Sequence, residues 1–199
     1  MPADLKEECL TPNTLSANDL SMARVRGRLA WPAELLTAKA LHIRRDIITL
    51  LAKAQSGHSG GPLSSTELGT VLFFNELNID PADPTWPERD YWHFSIGHVT
   101  PLIYSLMAER GYFPLRDLMK FRAFDGHAQG HPSRLDTPGI EVSAGSLGQG
   151  LSVCCGVAMA SRIDRNPRRV YCVMGDGEQQ EGQIWEASMF AAHYKLDHL

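Results

Sequence analysis

The stretch of this chain with the clearest chemical potential is an aspartate set between two glycines. Asp176 follows the largely apolar run of residues 170–174, and a helix-forming segment comes after Gly177. This pattern predicts a carboxylate at the carboxyl end of a buried strand, which is where open α/β sheets bind ligands. A lone carboxylate beside glycine backbone can hold a hard cation such as Mg²⁺ against a phosphate. An ordinary turn with a solvated aspartate is the alternative on this evidence alone.

Three histidines lie in loops with glycines beside them, where a ligand can come close to the backbone. His58 follows Gly57, His131 follows Gly130, and His98 lies just before a predicted helix whose N-cap is Thr100. An imidazole can donate, accept or carry a proton near pH 7, and a helix N-terminus favours an anion such as phosphate. A surface histidine without a role is the alternative for His58, and a turn cap is the alternative for His98.

A further glycine-rich turn spans residues 143–150 and opens an apolar helix predicted for residues 151–163. Its spacing does not match the dinucleotide fingerprint, and no clear strand leads into it, so that class of binding loop is not favoured. The glycines instead predict close backbone approach to a flat or phosphorylated ligand.

Composition bounds the class of protein. The chain has 199 residues, 43% of them hydrophobic, and a formal net charge of -4, which favours one α/β domain without a basic surface for nucleic acid. Since no apolar run reaches the roughly 18 residues of a membrane span and no signal-like start is present, a cytoplasmic protein is expected. The cysteines have no metal-ligand spacing and are expected to be reduced thiols of the core: Cys9, Cys154, Cys155 and Cys172. A zinc site at His127 and His131 is an alternative on this evidence.

The elements that must position these loops alternate between helix and strand. Apolar residues with helical period predict a helix over residues 33–54, with Lys39 on its solvent side. Residues 91–95 are typical of a short strand that leads towards His98. Residues 1–32 are expected to form a polar N-terminal extension, and residues 33–199 are expected to form the ligand-binding domain.

Taken together, these loops resemble those of transketolases. The resemblance covers residues from about Ala38 to Leu199, and its details look most like the split form, which is made as separate N-terminal and C-terminal subunits. It implies the diphosphate-binding domain of the thiamine diphosphate fold, an α/β three-layer sandwich with a mainly parallel sheet. The matching motifs are Ser-Gly-His at 56–58, Ser-Ile-Gly-His at 95–98, Gly-His-Pro at 130–132, Gly-Ser-Leu-Gly-Gln-Gly at 145–150, and Gly-Asp-Gly at 175–177 with Glu181 and Gly182.

The resemblance implies thiamine diphosphate and Mg²⁺, or another divalent cation, as cofactors. Asp176 would ligate the metal, and Gly177 would offer its backbone to the diphosphate. His98 would contact the diphosphate side of the cofactor. Backbone near the aminopyrimidine ring would come from three successive residues, Gly145, Ser146 and Leu147.

The implied activity is transfer of a two-carbon ketol unit from a ketose phosphate to an aldose phosphate. His58 and His131 would face the sugar substrate, binding its hydroxyls or moving protons at the reacting carbon. Glu181 would join an acidic network that reaches towards the cofactor-activating glutamate of a partner chain.

Because thiamine diphosphate lies between two domains in this family, the resemblance also implies a partner. The chain is expected to require a C-terminal subunit that carries the pyrimidine-binding domain, and to assemble as a dimer or heterotetramer. The family's second protein ligand for Mg²⁺ is an asparagine on the next strand, beyond Leu199, so the domain is expected to be truncated at its C-terminus. A non-catalytic remnant or interaction module that retains the fold is the alternative. Neither nucleic acid nor a membrane is an expected partner.

Overall fold

The computed structural model describes residues 15–199, in which helices and two short strands follow one another. The helices are α1 (Ala17–Met22), α2 (Ala33–Ala54), α3 (Gly60–Ser64), α4 (Thr66–Val71), α5 (Thr100–Arg110), α6 (Gly150–Ile163) and α7 (Gly182–His193). The strands are β1 (Tyr91–Phe94) and β2 (Val170–Val173). A π-helical turn at Leu72–Glu76 extends α4, and three 3-10 turns lie at Gly97–Val99, Leu115–Lys120 and Glu178–Gln180.

β1 and β2 are neighbours in a parallel sheet, which has two strands in the described part of the chain. Tyr91 lies opposite Val170, and Phe94 lies opposite Val173. Because the strands run the same way, their carboxyl ends meet at one edge of the sheet, and the segments that follow Phe94 and Val173 leave side by side. The expected α/β fold with a parallel sheet is confirmed.

Side chains of the two strands alternate between two hydrophobic clusters, one on each face of the sheet. Helices α2 and α5, with the π-helical turn at Leu72–Glu76, cover the first face, and α6 and α7 cover the second. The first cluster receives Trp92, Phe94, Tyr171 and Val173. The second receives Tyr91, Val170 and Cys172. The result is a helix–sheet–helix sandwich, as expected.

The segment before α2 packs on this domain. Ala23 and Trp31 are buried in the first cluster. The guanidinium of Arg110 donates to the carbonyl oxygen of Val25 at 3.0 Å and to that of Gly27 at 2.9 Å. Residues 15–31 are therefore joined to the core. The boundary at residue 32 stays a prediction, and residues 1–14, with Cys9, lie outside the described residues.

The bounds of α2 agree with the prediction, but the placement of Lys39 in solvent was wrong. Lys39 is fully buried, and its Nζ lies 2.6 Å from Oε2 of Glu109 on α5. The helical period cannot reveal this arrangement because the compensating carboxylate comes from another helix. The N-cap assignment of Thr100 was also wrong. Thr100 is the first residue of α5, and its hydroxyl donates to the carbonyl oxygen of Gly130 at 3.0 Å.

Two further expectations concern thiols and membranes. Cys154 and Cys155 are buried free thiols, as predicted, whereas Cys172 is a free thiol that is only half-buried. Within residues 15–199, no helix has the length and apolar character needed to cross a bilayer.

Candidate functional site

The loops that follow β1 and β2 are in direct contact. The amide of Ser95 donates to the carbonyl oxygen of Val173 at 2.9 Å. A Cβ placed on Gly175 would lie only 2.6 Å from Cγ2 of Ile96, so glycine permits this approach. Asp176 comes next and is exposed at the carboxyl edge of the sheet. A Cβ placed on Gly177 would meet no heavy atom within 4 Å, so the backbone beside the carboxylate faces open space.

His58 and His98 come together from different parts of the chain. His58 lies in the loop between α2 and α3, whereas His98 lies in the 3-10 turn that enters α5. Their ring centroids are 5.2 Å apart, with the planes tilted by 52°. Desolvation lowers the pKa of His58, and electrostatic interactions with His98, Arg122 and His131 lower it further. The neutral imidazole of His58 is therefore favoured at neutral pH.

The loops of His131 and Gly145 complete this cluster. A Cβ placed on Gly145 would lie 3.6 Å from Cδ2 of His131, and one placed on Gly97 would lie 2.8 Å from the amide nitrogen of Gly145. The hydrogen bond from the hydroxyl of Thr100 to the carbonyl oxygen of Gly130 anchors the loop of His131 to α5. The glycine-rich turn therefore lies between the loop of His98 and the loop of His131. The order of the motifs along the chain does not reveal this arrangement.

Glu181 lies against the same glycine-rich turn. A Cβ placed on Gly148 would lie 2.8 Å from Cβ of Glu181, and Gly148 has a φ of +85°, in the left-handed region that favours glycine. Glu181 itself is exposed at the N-cap position of α7. This contact joins the helix that follows Asp176 to the loop that precedes α6.

Sequence reasoning missed the buried Glu178. One carboxylate oxygen accepts hydrogen bonds from the hydroxyl of Ser95 and, at 2.9 Å, from the amide of Gly148. The other accepts from the amide of Gly175 at 3.0 Å. The hydroxyl of Ser95 in turn accepts from the amide of Gly150 at 3.0 Å. An acid directly after Gly-Asp-Gly is visible in the sequence, but nothing local distinguishes a buried acid from an exposed one.

The predicted site residues thus lie in neighbouring loops, mostly at the surface. His98 is half-buried, and the others are exposed: His58, His131, Gly145, Ser146, Leu147, Asp176, Gly177 and Glu181. In the described part of the chain, no group of three or more His, Cys, Asp and Glu side chains is arranged to hold a metal ion. Zinc therefore gains no support. His127 packs against Phe113 instead, with ring centroids 4.6 Å apart.

An α/β fold with glycine and histidine loops at the carboxyl edge of its parallel strands defines a class of cofactor-binding domain. Residues 37–199 match the family described as transketolase, thiamine diphosphate binding domain, and the chain belongs to that family.

Relatives of this chain include subunits of transketolases made in separate parts. It is 43% identical over 157 residues to the 6-deoxy-6-sulfo-D-fructose transketolase subunit SqwG of Clostridium sp. (strain MSTE9), covering 79% of this chain and 57% of that protein. It is 44% identical over 165 residues to an apulose-4-phosphate transketolase subunit of Actinobacillus succinogenes, covering 82% of this chain and 60% of that protein. The chain thus spans less than two thirds of the length of either relative.

Solved transketolase structures share the fold. The crystal structure of transketolase from Campylobacter jejuni superposes with a TM-score of 0.78 at 35% sequence identity, covering 85% of this chain and 28% of that one. Transketolase from Leishmania mexicana superposes with a TM-score of 0.77 at 33% identity, covering 82% of this chain and 26% of that one.

Proposed function

We propose that this chain is the diphosphate-binding half of a transketolase. In this proposal it transfers a two-carbon ketol unit from a ketose phosphate to an aldose phosphate with thiamine diphosphate and Mg²⁺. The observation that carries the proposal is the exposed Asp176, which lies beside open glycine backbone at the edge of the sheet where the histidine loops meet. Membership of the family and the split-type relatives support it.

The residues around Asp176 fit a metal-bound diphosphate. Mg²⁺ binds through one or two carboxylates plus phosphate oxygens, so a single exposed carboxylate is a suitable protein donor. The open space at Gly177 leaves its amide accessible to a phosphate oxygen. His98 precedes α5 and would contact the same diphosphate, and the exposed backbone of residues 145–147 would contact the aminopyrimidine. When bound, thiamine diphosphate supplies the carbanion-stabilising chemistry, and these residues hold and orient it.

His58 and His131 are the proposed substrate-facing residues. The lowered pKa of His58 keeps its imidazole neutral near pH 7, so one nitrogen can accept a proton while the other donates a hydrogen bond. Such groups can bind the hydroxyls of a sugar phosphate and move a proton at the reacting carbon. Their position beside the Gly145 loop supports this role because substrate must lie next to the cofactor.

The exposure of the loops supports the need for a partner. Water must be excluded from a reactive carbanion centre, yet His58, Asp176 and Glu181 are all exposed in this chain. A C-terminal subunit with the pyrimidine-binding domain would cover them, and Glu181 would contact the acidic group that the partner brings. The proposed assembly is accordingly a dimer or a heterotetramer.

The test is calorimetric titration of thiamine diphosphate and Mg²⁺ into the chain mixed with its partner subunit. We expect Asp176→Ala to weaken Mg²⁺-dependent binding by at least about 100-fold, since even residues outside the ligand shell cost about 10–100-fold. Asp164→Ala is the matched control because Asp164 is exposed at the far end of α6. Its binding should equal that of the unmodified chain.

Two results would contradict the proposal. One is the absence of binding when the partner is present. The other is binding that Asp176→Ala leaves unchanged. Either result favours a non-catalytic interaction module that retains the fold.

A further inference from the structure

Glu178 contacts three of the candidate site's loops. Its partners are Ser95 after β1, Gly148 before α6 and Gly175 after β2. The residue is only 2% exposed, and within residues 15–199 it makes no ion pair with a cationic side chain. Both oxygens receive backbone N–H donors, which suits an ionised carboxylate. A buried charge that is satisfied by backbone amides orients those amides.

The same contacts occupy the N-terminus of α6. The amide of Gly148 points to Glu178, and the amide of Gly150 points to the hydroxyl of Ser95. An acid at this position offsets the helix dipole and the unpaired amides of the first turn. These two amides are therefore not available to a cofactor phosphate. Backbone at residues 145–147 and at Gly177 remains exposed for that purpose.

The packing around Glu178 leaves the loops little freedom to move independently. A Cβ placed on Gly150 would overlap Oγ of Ser95. A Cβ placed on Gly175 would lie 2.6 Å from Cγ2 of Ile96. A shift of any one segment therefore displaces the other two, so their relative position depends on the group that joins them.

We propose that Glu178 is a positioning residue that sets the relative geometry of the loops carrying His98, Gly145 and Asp176, and thereby the affinity for diphosphate and metal. Glu178 acts through Ser95 and the glycine amides without touching the cofactor itself. The inference rests on the proposed function.

The first variant is Glu178→Gln. An amide of the same shape can no longer accept at both positions, because its NH₂ group must face either Gly148 or Gly175, which are both donors. We expect Mg²⁺-dependent affinity for thiamine diphosphate to fall about 10–100-fold, as for other residues that orient ligands. Glu88→Gln, at an exposed glutamate, is the control and should bind like the unmodified chain.

Turnover and spectroscopy separate positioning from a folding defect. With the partner subunit present, Glu178→Gln should raise the half-saturating cofactor concentration, while turnover at saturation stays within about threefold of the unmodified enzyme. A folding defect would instead lower turnover and leave half-saturation unchanged. In proton–nitrogen NMR spectra, the amide resonances of Gly148 and Gly175 should shift in the variant because both lose a charged acceptor.

Ser95→Ala is the second variant and carries the test if Glu178→Gln does not fold. It removes the hydroxyl between Glu178 and Gly150, and we expect a smaller loss of cofactor affinity. The double variant should lose less than the product of the two single losses, since both act through one hydrogen-bonded chain. Losses that multiply would mean that the two residues act separately and would overturn the inference.

The outcomes distinguish the two proposals. If the unmodified chain with its partner binds cofactor and both Glu178→Gln and Ser95→Ala bind equally well, the positioning role is wrong and the proposed function stands. If the unmodified chain does not bind, both proposals fail. Weakened binding in the variants, with unchanged half-saturation in Glu88→Gln, supports both.

Discussion

Two buried carboxylates are satisfied in different ways in this protein. Glu178 lies among glycine loops and accepts hydrogen bonds from backbone amides. Glu109 lies in α5 and contacts the ammonium group of Lys39 on α2 at 2.6 Å. In the interior of a helix the amides are bonded to the carbonyl four residues earlier, so an acid between helices is satisfied by other side chains. Loops contain amides without a partner in regular structure, so a carboxylate there can accept from them and fix the position of the backbone.

Asp46 on α2 interacts with the Lys39–Glu109 pair. Burial raises the pKa of Asp46 well above its usual range, and the negative charge of Glu109 raises it further. Oδ2 of Asp46 and Oε1 of Glu109 have no other hydrogen-bond partner in the described part of the chain. A proton on Asp46 that is donated to Glu109 satisfies both oxygens. The helical cluster thus balances its charge internally through side chains, whereas Glu178 is held by backbone amides and a hydroxyl from three loops.

The largest expected effect breaks the helical cluster. Lys39→Met keeps the side-chain length but leaves Glu109 buried without its cation, and we expect a loss of about 3–5 kcal/mol in the free energy of unfolding. Urea denaturation followed by circular dichroism measures it. Lys53→Met, at an exposed position near the end of the same helix, should change the free energy little. Equal losses in the two variants would show that the buried pair does not stabilise the fold.

An intermediate effect is expected when a methyl group is added to the loop cluster. Gly148→Ala places a side chain at a φ of +85° and within 2.8 Å of Glu181 Cβ, so we expect a loss of about 1–3 kcal/mol together with weaker cofactor binding. Gly156→Ala lies in α6 with nothing within 4 Å of the new Cβ, and it should gain up to about 1 kcal/mol from helix propensity. The same urea titration reports both. Changes of the same sign would contradict the assignment of Gly148 to a strained turn.

The smallest effect sharpens the comparison through pH. Because the folded pKa of Asp46 is raised above the ordinary aspartate value of 3.8, its contribution to stability is complete below that value and is lost as pH rises through the folded pKa. The side chain in Asp46→Asn cannot ionise, so the free energy of unfolding does not lose this contribution as pH rises. Stability curves of the two proteins should therefore diverge as pH rises above the ordinary aspartate value. Curves that stay parallel from pH 4 to 8 would mean that Asp46 is ionised in the folded state throughout.

Local pattern was enough to predict most elements. The helical period predicted α2 with its observed bounds, and apolar runs predicted β1, β2 and α6 to within about a residue. The glycine, histidine and aspartate motifs resemble those of the family to which the chain belongs. These features depend on residues close together in the chain, so the sequence alone contains the necessary information.

Tertiary contacts decided the remainder. Lys39 is buried because α5 supplies Glu109, and Glu178 is buried because loops from three distant segments supply its donors. The 5.2 Å approach of His58 to His98 likewise depends on how α2 packs against α5. The sequence by itself determined the elements, the chemical types at their ends and the family. Only the folded chain decided which of those groups meet, since a charge or an amide is satisfied by neighbours in space that no local pattern specifies.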